Sequence, residues 1–397
     1  MEYYQNKIND YLFNNFIKEF PETIINKLEY LLTDGKRLRP VLFCIFSDVE
    51  YETLGNKYIN ISGDKLEEDL KFEKENNIIN ENTINENTIN ENTINENITS
   101  QNTTSQNITS QNTNKTNTYK TNTIYDLGCI IEVLHNLSLV LDDMPSMDND
   151  LVRRNRPSFH SKFGIEYTNF FVYYLFNKLG LKINSILDYE LNPTNIDFFK
   201  DIKYTFEYNL KDLIDGQYTD LNWNKYLNNG INSYDFANEK EIIINILQNI
   251  TNDINNPITK YHLMKNIDLN MKKTASLFNL SICSGFILQL WHKNTNQEDF
   301  KKYNNIFQDI IIWSYIFGYL FQISDDILDV IPDINSNKPN ICSIIGLENT
   351  KLLLKKGIEW LTTSISDINN AFNPTINLNA SLNINAINEI IDLIANR

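Results

Sequence analysis

The sequence predicts an all-α fold. Three observations carry this: glycine and proline are scarce, apolar residues recur at helical spacing through most of the chain, and the period-two alternation of strands is hard to find. Glycine contributes 12 and proline nine of 397 residues, against a usual glycine share of roughly 7%. Chains built from strands and tight turns generally need more of both.

Taken in order, residues 5–32 place Ile8, Leu12, Phe13, Phe16, Phe20, Ile24, Ile25, Leu28 and Leu31 at helical spacing, with a break at Pro21. Pro40, followed by VLFCIFSDV, reads as a helix start with proline at its first position. Residues 125–143 predict a largely buried helix and 165–188 an aromatic-rich one. Residues 203–220, 270–292 and 304–331 predict further helices, and 351–371 opens another.

A low-complexity stretch interrupts this pattern. From Asn80 the unit NENTI repeats, breaks into NENIT and turns into SQNTT, SQNIT and SQNTN. A period of five matches neither helix nor strand, and isoleucine is its only large apolar residue. Such a segment buries too little surface to offset the entropy of ordering it. With its flanks it spans 64–123 and is expected to be disordered. Residues 1–63 and 124–397 are then one helical domain, in which a second Asn-rich insertion, about 223–260, has room for a short helix at EIIINILQNI.

The net charge of −16 argues against nucleic acid as the main partner. Cys44, Cys129, Cys283 and Cys342 are scattered without a CxxC pair, which fits buried thiols rather than a disulfide framework or a zinc site. No apolar run reaches the roughly 18 residues expected of a membrane span, so no transmembrane segment is expected. The N-terminus shows no signal-peptide core. A cytoplasmic location is expected, with a plastid-like organelle as the alternative.

Two aspartate clusters carry the chemistry. Asp142, Asp143 and Asp148 occur in LDDMPSMDND, and Asp325, Asp326 and Asp329 in SDDILDV, each behind an apolar segment. Carboxylates at the end of a buried helix repel one another and lose hydration, and a hard divalent cation compensates both. Mg²⁺ takes a few carboxylates and fills its remaining positions with water and substrate phosphate oxygens. Asp325 and Asp329 are four apart, one face of a helix. Asp142 and Asp148, six apart, diverge on an unbroken helix, but Pro145 should end the helix and let Asp148 swing back.

Cations accompany the clusters. Arg153, Arg154 and Arg156 follow the first, and Arg presents a fork suited to phosphate oxygens. Lys36, Arg37 and Arg39 in DGKRLRP precede a helix whose free N–H groups add positive potential. Lys273, Thr274 and Lys338 are further candidates. The whole suits a ligand with phosphates and metal at one end and hydrocarbon at the other.

In order, GKRLRP, HNLSLVLDDMPSMDND, RR, GQYTD, KKTASL and FQISDDILD resemble the motifs of the trans-isoprenyl (polyprenyl) diphosphate synthases. The spacing within the first aspartate cluster is similar to the short-chain farnesyl and geranylgeranyl branch of bacterial and plant type. The resemblance implies a bundle of antiparallel helices around a deep central cavity, usually a homodimer. It implies a Mg²⁺-dependent transferase joining isopentenyl diphosphate to an allylic partner: dimethylallyl, geranyl or farnesyl diphosphate. Asp142, Asp148, Asp325 and Asp329 would bind the metal, and Asp143 and Asp326 complete the motifs. Lys36, Arg39, His135 and Arg154 match residues that hold isopentenyl diphosphate. Arg153, Lys273, Thr274, Gln322 and Lys338 match positions around the allylic diphosphate.

Chain length is expected to be set below Asp142, where Ser138 and Leu137 lie about one turn down. In relatives that stop at fifteen carbons an aromatic residue often stands near here. Ser138 is small and Leu137 is not aromatic, so a product of twenty carbons or more is expected. Leu134, Ile130 and Ile131 would form the next layers, with Phe170, Phe171 and Tyr174 closing from a neighbouring helix. Two other readings remain open at this point. One is a non-catalytic partner subunit of the same fold, suggested by the short interval between Asp329 and Lys338. The other is a class I terpene cyclase, which shares the first aspartate motif but not GKRLRP.

Overall fold

A computed structural model describes residues 1–47, 105–189, 196–228, 236–292, 303–330, 339–375 and 382–396. The NENTI repeat therefore lies outside the described residues. Met1–Asp48 and Tyr119–Arg397 form one compact unit, and Val49–Thr118 a second.

The all-α expectation holds. The helices are α1 (Glu2–Asn14), α2 (Glu22–Leu32), α3 (Leu38–Phe46), α4 (Ser105–Asp142), α5 (Phe159–Phe163), α6 (Ile165–Tyr189) and α7 (Ile196–Leu221). They continue with α8 (Trp223–Asn228), α9 (Ala237–Gln248), α10 (Pro257–Asn270), α11 (Ser276–His292), α12 (Asn304–Leu328), α13 (Cys342–Ile345), α14 (Leu347–Thr375) and α15 (Ile384–Ala395). Among the described residues the strands are Val152–Arg153 and Arg156–Pro157, paired antiparallel in a small hairpin.

Local chemistry explains the boundaries. Pro21 is the N-cap of α2, as its break predicts. Pro40, in contrast, is the third residue of α3 rather than the first, and Arg37 caps that helix with a left-handed φ of 54°. Proline is tolerated there because the first-turn N–H groups have no helical acceptor. α4 starts at Ser105, inside the SQN repeats, so part of the stretch expected to be disordered is helical.

α11 is apolar nearly all round, the mark of a helix surrounded by others. It packs against α3, α7 and α12, and α12 in turn packs on α14. Trp313 on α12 is fully buried and its indole N–H donates to the Leu361 carbonyl of α14 at 3.0 Å. Three stretches are, by length and composition, long and apolar enough to cross a membrane: Thr123–Asp142, Pro257–Trp291 and Asn304–Leu328. That corrects the reading that no apolar stretch reaches such a length, and does not bear on whether any of them spans a membrane. In the apolar window of the second, 94% is buried within the protein, so its composition is accounted for by the core.

The second Asn-rich stretch is also more ordered than expected. It contains α8, α9 and the start of α10, and Ile243, Ile244 and Leu247 of α9 are buried. α9 packs against α12 and α14. Periodic leucine and isoleucine outweigh the weak helix propensity of asparagine here.

Candidate active site

A cavity of about 770 Å³ lies in the bundle. α3 contributes Leu38 and Arg39, α4 contributes His135, Ser138 and Asp142, and α6 contributes Phe176. α7 supplies Leu210, Leu213, Gln217 and Tyr218, and α12 supplies Phe321, Gln322 and Asp325. Lys273 and Thr274 enter from the π-helical turn Met271–Ala275 between α10 and α11. Single π turns inside α-helices recur at functional sites.

Two glycines let neighbouring helices close on that turn. A Cβ at Gly216 of α7 would come within 2.7 Å of the Lys273 Cα. At Gly318 of α12 it would come within 2.5 Å of the Ala275 Cα. One turn beyond Gly216, Asp220 pairs with the Lys273 ammonium. Burial disfavours the charge on Lys273, but Asp220, Asp142 and Asp148 outweigh it and hold its pKa above the ordinary lysine value. The Thr274 hydroxyl donates to Gln322 Oε1 at 2.7 Å, and Gln322 Nε2 donates to Asp326 Oδ1 at 2.8 Å.

The end of α4 behaves as Pro145 predicts. The helix stops at Asp142, and the Asp148 backbone N–H returns to the Asp142 carbonyl at 2.9 Å. Burial pushes the Asp142 carboxyl up to about 6, Lys273 and Arg153 oppose this, and Asp148 and Asp220 add to it. Asp325 borders the same cavity from α12. Asp329 is the exposed C-cap of α12, its N–H donating to the Asp325 carbonyl.

Asp143, Arg153 and Asp326 are placed differently. Asp143 is 1% exposed and accepts Arg153 Nε and Nη2 at 2.6–2.8 Å. Both border a separate small cavity of about 30 Å³ and not the large one. Adjacent residues on a helix point about 100° apart, and at the end of α4 Asp142 borders the large cavity while Asp143 does not. The same holds for Asp325 and Asp326. Asp326 is buried and accepts the Ile341 N–H at 3.0 Å, while its carbonyl accepts Asn340 Nδ2 at 2.8 Å. Leu137 is fully buried and does not border the cavity. Lys338 lies outside the described residues.

The same cavity is also lined by the cations Lys36, Arg37, Arg39 and Arg154. Burial lowers the Arg39 pKa to about 10, with Glu132 and Asp325 opposing and Arg154 adding. Its guanidinium lies 4.3 Å from the Phe278 ring centroid, and its buried Nε has no hydrogen-bond partner. A buried donor left unpaired costs stability unless a ligand accepts from it. Burial, then Arg39, Arg154, Arg153 and Arg37, drive the His135 pKa well below the ordinary histidine value, so the imidazole is neutral at neutral pH.

Sequence reasoning missed Glu132, which borders the same cavity, and Asn136 beside it. Arg37 forms a buried ion pair with Glu132 at 2.9 Å, and Asn136 Nδ2 donates to Glu132 Oε1 at 3.1 Å. Arg154 donates to Asn136 Oδ1 at 3.3 Å. Asp220 was also missed, although GQYTD puts it four residues after Gly216 on the same helical face.

Among the described residues, no group of three or more His, Cys, Asp and Glu could hold a metal ion by itself. The donor set still fits Mg²⁺, which commonly binds through one or two carboxylates together with substrate phosphates. Asp142 and Asp325 are the carboxylates that would hold it, and the Asp142 pKa, raised chiefly by burial, marks a carboxylate whose charged form a cation would stabilise.

A family model described as polyprenyl synthetase matches residues 103–351. The chain is 25% identical over 240 residues to a farnesyl diphosphate synthase from Micrococcus luteus, covering 57% of this chain and 65% of that one. It is 55% identical over 41 residues to a geranylgeranyl diphosphate synthase from Pseudescherichia vulneris, covering 10% and 13%. The matches thus span less than two thirds of these relatives' lengths. Among solved structures it is similar to an FPP/GFPP synthase from Zymomonas mobilis, at TM-score 0.56 and 16% identity, covering 99% and 98%. It is also similar to a geranyltransferase from Helicobacter pylori complexed with magnesium and isoprenyl diphosphate, at TM-score 0.55 and 17% identity, covering 100% and 97%. At these identities the structural matches speak for a shared all-helical fold, and the matched span, with the ordered motifs around one cavity, establishes the rest: the chain belongs to the polyprenyl synthetase family.

Proposed function

We propose that this chain is a prenyltransferase that condenses isopentenyl diphosphate with an allylic diphosphate. The observation that carries the reading is a single cavity with two chemically different kinds of lining. Its lining combines charged groups, Asp142, Asp325, Lys273, Arg39 and Arg154, with apolar ones, among them Leu210, Leu213, Leu277 and Phe321. A ligand with a diphosphate head and a hydrocarbon tail satisfies both.

Mg²⁺, when bound, supplies Lewis acidity toward a departing diphosphate. Asp142 and Asp325 would hold it, while Lys273 and Thr274 orient the allylic diphosphate oxygens. Lys36, Arg39 and Arg154 would take the second diphosphate, leaving neutral His135 to donate one hydrogen bond without adding charge. The apolar wall excludes water from the allylic carbon as its C–O bond breaks, so that the isopentenyl double bond attacks it. A proton then leaves the new chain, and no side-chain nucleophile is needed.

A homodimer belongs to the same proposal. Phe170 and Tyr173 of α6 are 75% and 73% exposed, large apolar side chains suited to a second copy. The decisive assay incubates purified protein with Mg²⁺, an allylic diphosphate and labelled isopentenyl diphosphate. Chain-elongated diphosphates are expected. Their absence, with the protein folded and dimeric, favours the non-catalytic partner instead.

A further inference from the structure

We propose that Asp268 is a positioning residue for Lys273 and Thr274, itself held by Lys240 and Tyr226 from the second Asn-rich stretch; the proposal rests on the reading of the cavity as a diphosphate site. Asp268 is near the end of α10, three residues before the π turn, and is 3% exposed. Lys240 Nζ of α9 donates to its Oδ1 at 2.9 Å, and the Tyr226 hydroxyl of α8 donates to its Oδ2 at 2.5 Å. Lys272 pairs with Oδ2 at 3.6 Å. Burial alone would raise the Asp268 pKa, but Lys240, Tyr226 and Lys272 outweigh it and hold the group below the ordinary carboxylate value.

What makes this cluster more than a structural ion pair is where Lys272 sits. Lys272 and Lys273 are consecutive on the π turn, yet they answer carboxylates on different helices. Lys272 turns back to Asp268, and Lys273 turns into the cavity toward Asp220 of α7. Lys273 lies inside the π turn, so a change in the register of that turn would move its side chain relative to Asp220. Gly216 and Gly318 permit close approach of the backbone but impose no rotation. The Asp268–Lys272 pair, at ordinary i,i+4 spacing, ties the start of the turn back to α10, and Lys240 and Tyr226 fix Asp268 from outside that helix. Removing one partner of a buried pair leaves an uncompensated charge, so the cluster resists rearrangement. A stretch that composition marks as an insertion thereby reaches the active-site turn.

The test uses the full-length protein with Lys240→Met and Tyr226→Phe, the second removing a hydroxyl only, so that one folded variant is secured. Hydrogen–deuterium exchange followed over 268–276 should quicken in both, by about tenfold in Lys240→Met. The KM for the allylic diphosphate should rise by about tenfold, while that for isopentenyl diphosphate stays within about twofold. A general loss of stability would move both KM values and all exchange rates together. Unchanged exchange over 268–276 in both variants overturns the brace. Faster exchange with an unaltered allylic KM overturns the positioning role. Failure of the wild type to condense the two diphosphates refutes the functional reading instead, and the exchange rates still decide whether Lys240 and Tyr226 hold the turn.

Discussion

The backbone N–H of Asp148 donates to the carbonyl of Asp142 at 2.9 Å, bringing two carboxylates six positions apart to the same end of α4. With burial, and with Asp220 adding, this leaves the Asp142 pKa at about 6 against an ordinary 3.8. A carboxylate whose folded pKa is raised contributes stability that is complete below the unfolded value and is lost as pH rises through the folded one. At neutral pH Asp142 therefore destabilises the metal-free protein.

Asp142→Asn should accordingly melt a few degrees above the wild type at pH 7.5 without Mg²⁺, a difference that shrinks below pH 5. The wild type should gain stability from Mg²⁺ plus a diphosphate analogue by mass action, and that gain should fade as pH falls through about 6. The variant should lose most of the gain at every pH. Melting curves at two pH values, with and without the ligands, check this; an equal ligand shift in the variant removes Asp142 from the metal site.

Asp325 and Asp326 are neighbours with opposite expected behaviour. Asp325 borders the cavity, whereas Asp326 anchors the Ile341 N–H and Gln322. Asp325→Ala should keep the wild-type melting temperature within a few degrees and lower turnover by orders of magnitude. Asp326→Ala leaves a buried N–H without its acceptor, which costs about 1–3 kcal/mol, and should lower the melting temperature. Turnover per folded molecule should fall less than in Asp325→Ala. Thermal melts paired with the condensation assay decide it, and the reverse ranking would mean that Asp326 turns inward to the metal.

This pair shows how far the sequence could be read. The motif spellings located both ends of the cavity, because charged residues behind apolar helices need a stated reason to be there. The resemblance assigned the metal to Asp142 and Asp325 rather than Asp143 and Asp326, but the spelling alone gives no physical reason, since which of each doublet borders the cavity depends on the rotation of α4 and α12 against their neighbours. Asp143 and Arg153 were read as site residues and are instead bound to each other. Asp220 and Asp268 were passed over because their meaning comes from Lys273 and Lys240, which lie 53 and 28 residues away. The helices of the second Asn-rich stretch were underestimated because their order comes from packing against α12 and α14, not from asparagine.

Gly216→Ala should be far more damaging than an ordinary helical substitution. In an exposed helix, alanine for glycine is worth up to about 1 kcal/mol of stability. Here the new Cβ would meet backbone of the π turn at Lys273 rather than a movable side chain. Overpacking of this kind typically costs about 1–3 kcal/mol, and relieving it requires α7 and the turn to separate. The expected result is a lowered melting temperature and a raised KM for the allylic diphosphate. A control at Gly180, where a Cβ meets nothing within 4 Å, should be neutral or stabilising. Equal effects at the two positions would mean that the close approach of α7 to the turn is not what aligns Lys273.

Product length depends on what lies below Asp142, and the structure changes the residues that matter. Ser138 borders the cavity, as expected, while Leu137, Leu134, Ile130 and Ile131 are buried away from it. Of the aromatics expected on α6, Phe170 is 75% exposed, and Phe171 stacks on Phe159 with centroids 4.6 Å apart. Neither they nor Tyr174 border the cavity; Phe176 does. A growing tail that passes Ser138 therefore meets Phe176 of α6 and Leu210 and Leu213 of α7. A wild-type product of twenty carbons or more is the outcome expected from the small side chain at Ser138. Ser138→Phe should shift products shorter without abolishing the first condensation, because it adds bulk below the diphosphates and leaves their ligands untouched. Phe176→Ala should shift them longer by opening the opposite wall. Chromatography of the extracted products measures all three, and farnesyl diphosphate as the sole wild-type product would rule out Ser138 as the open gate.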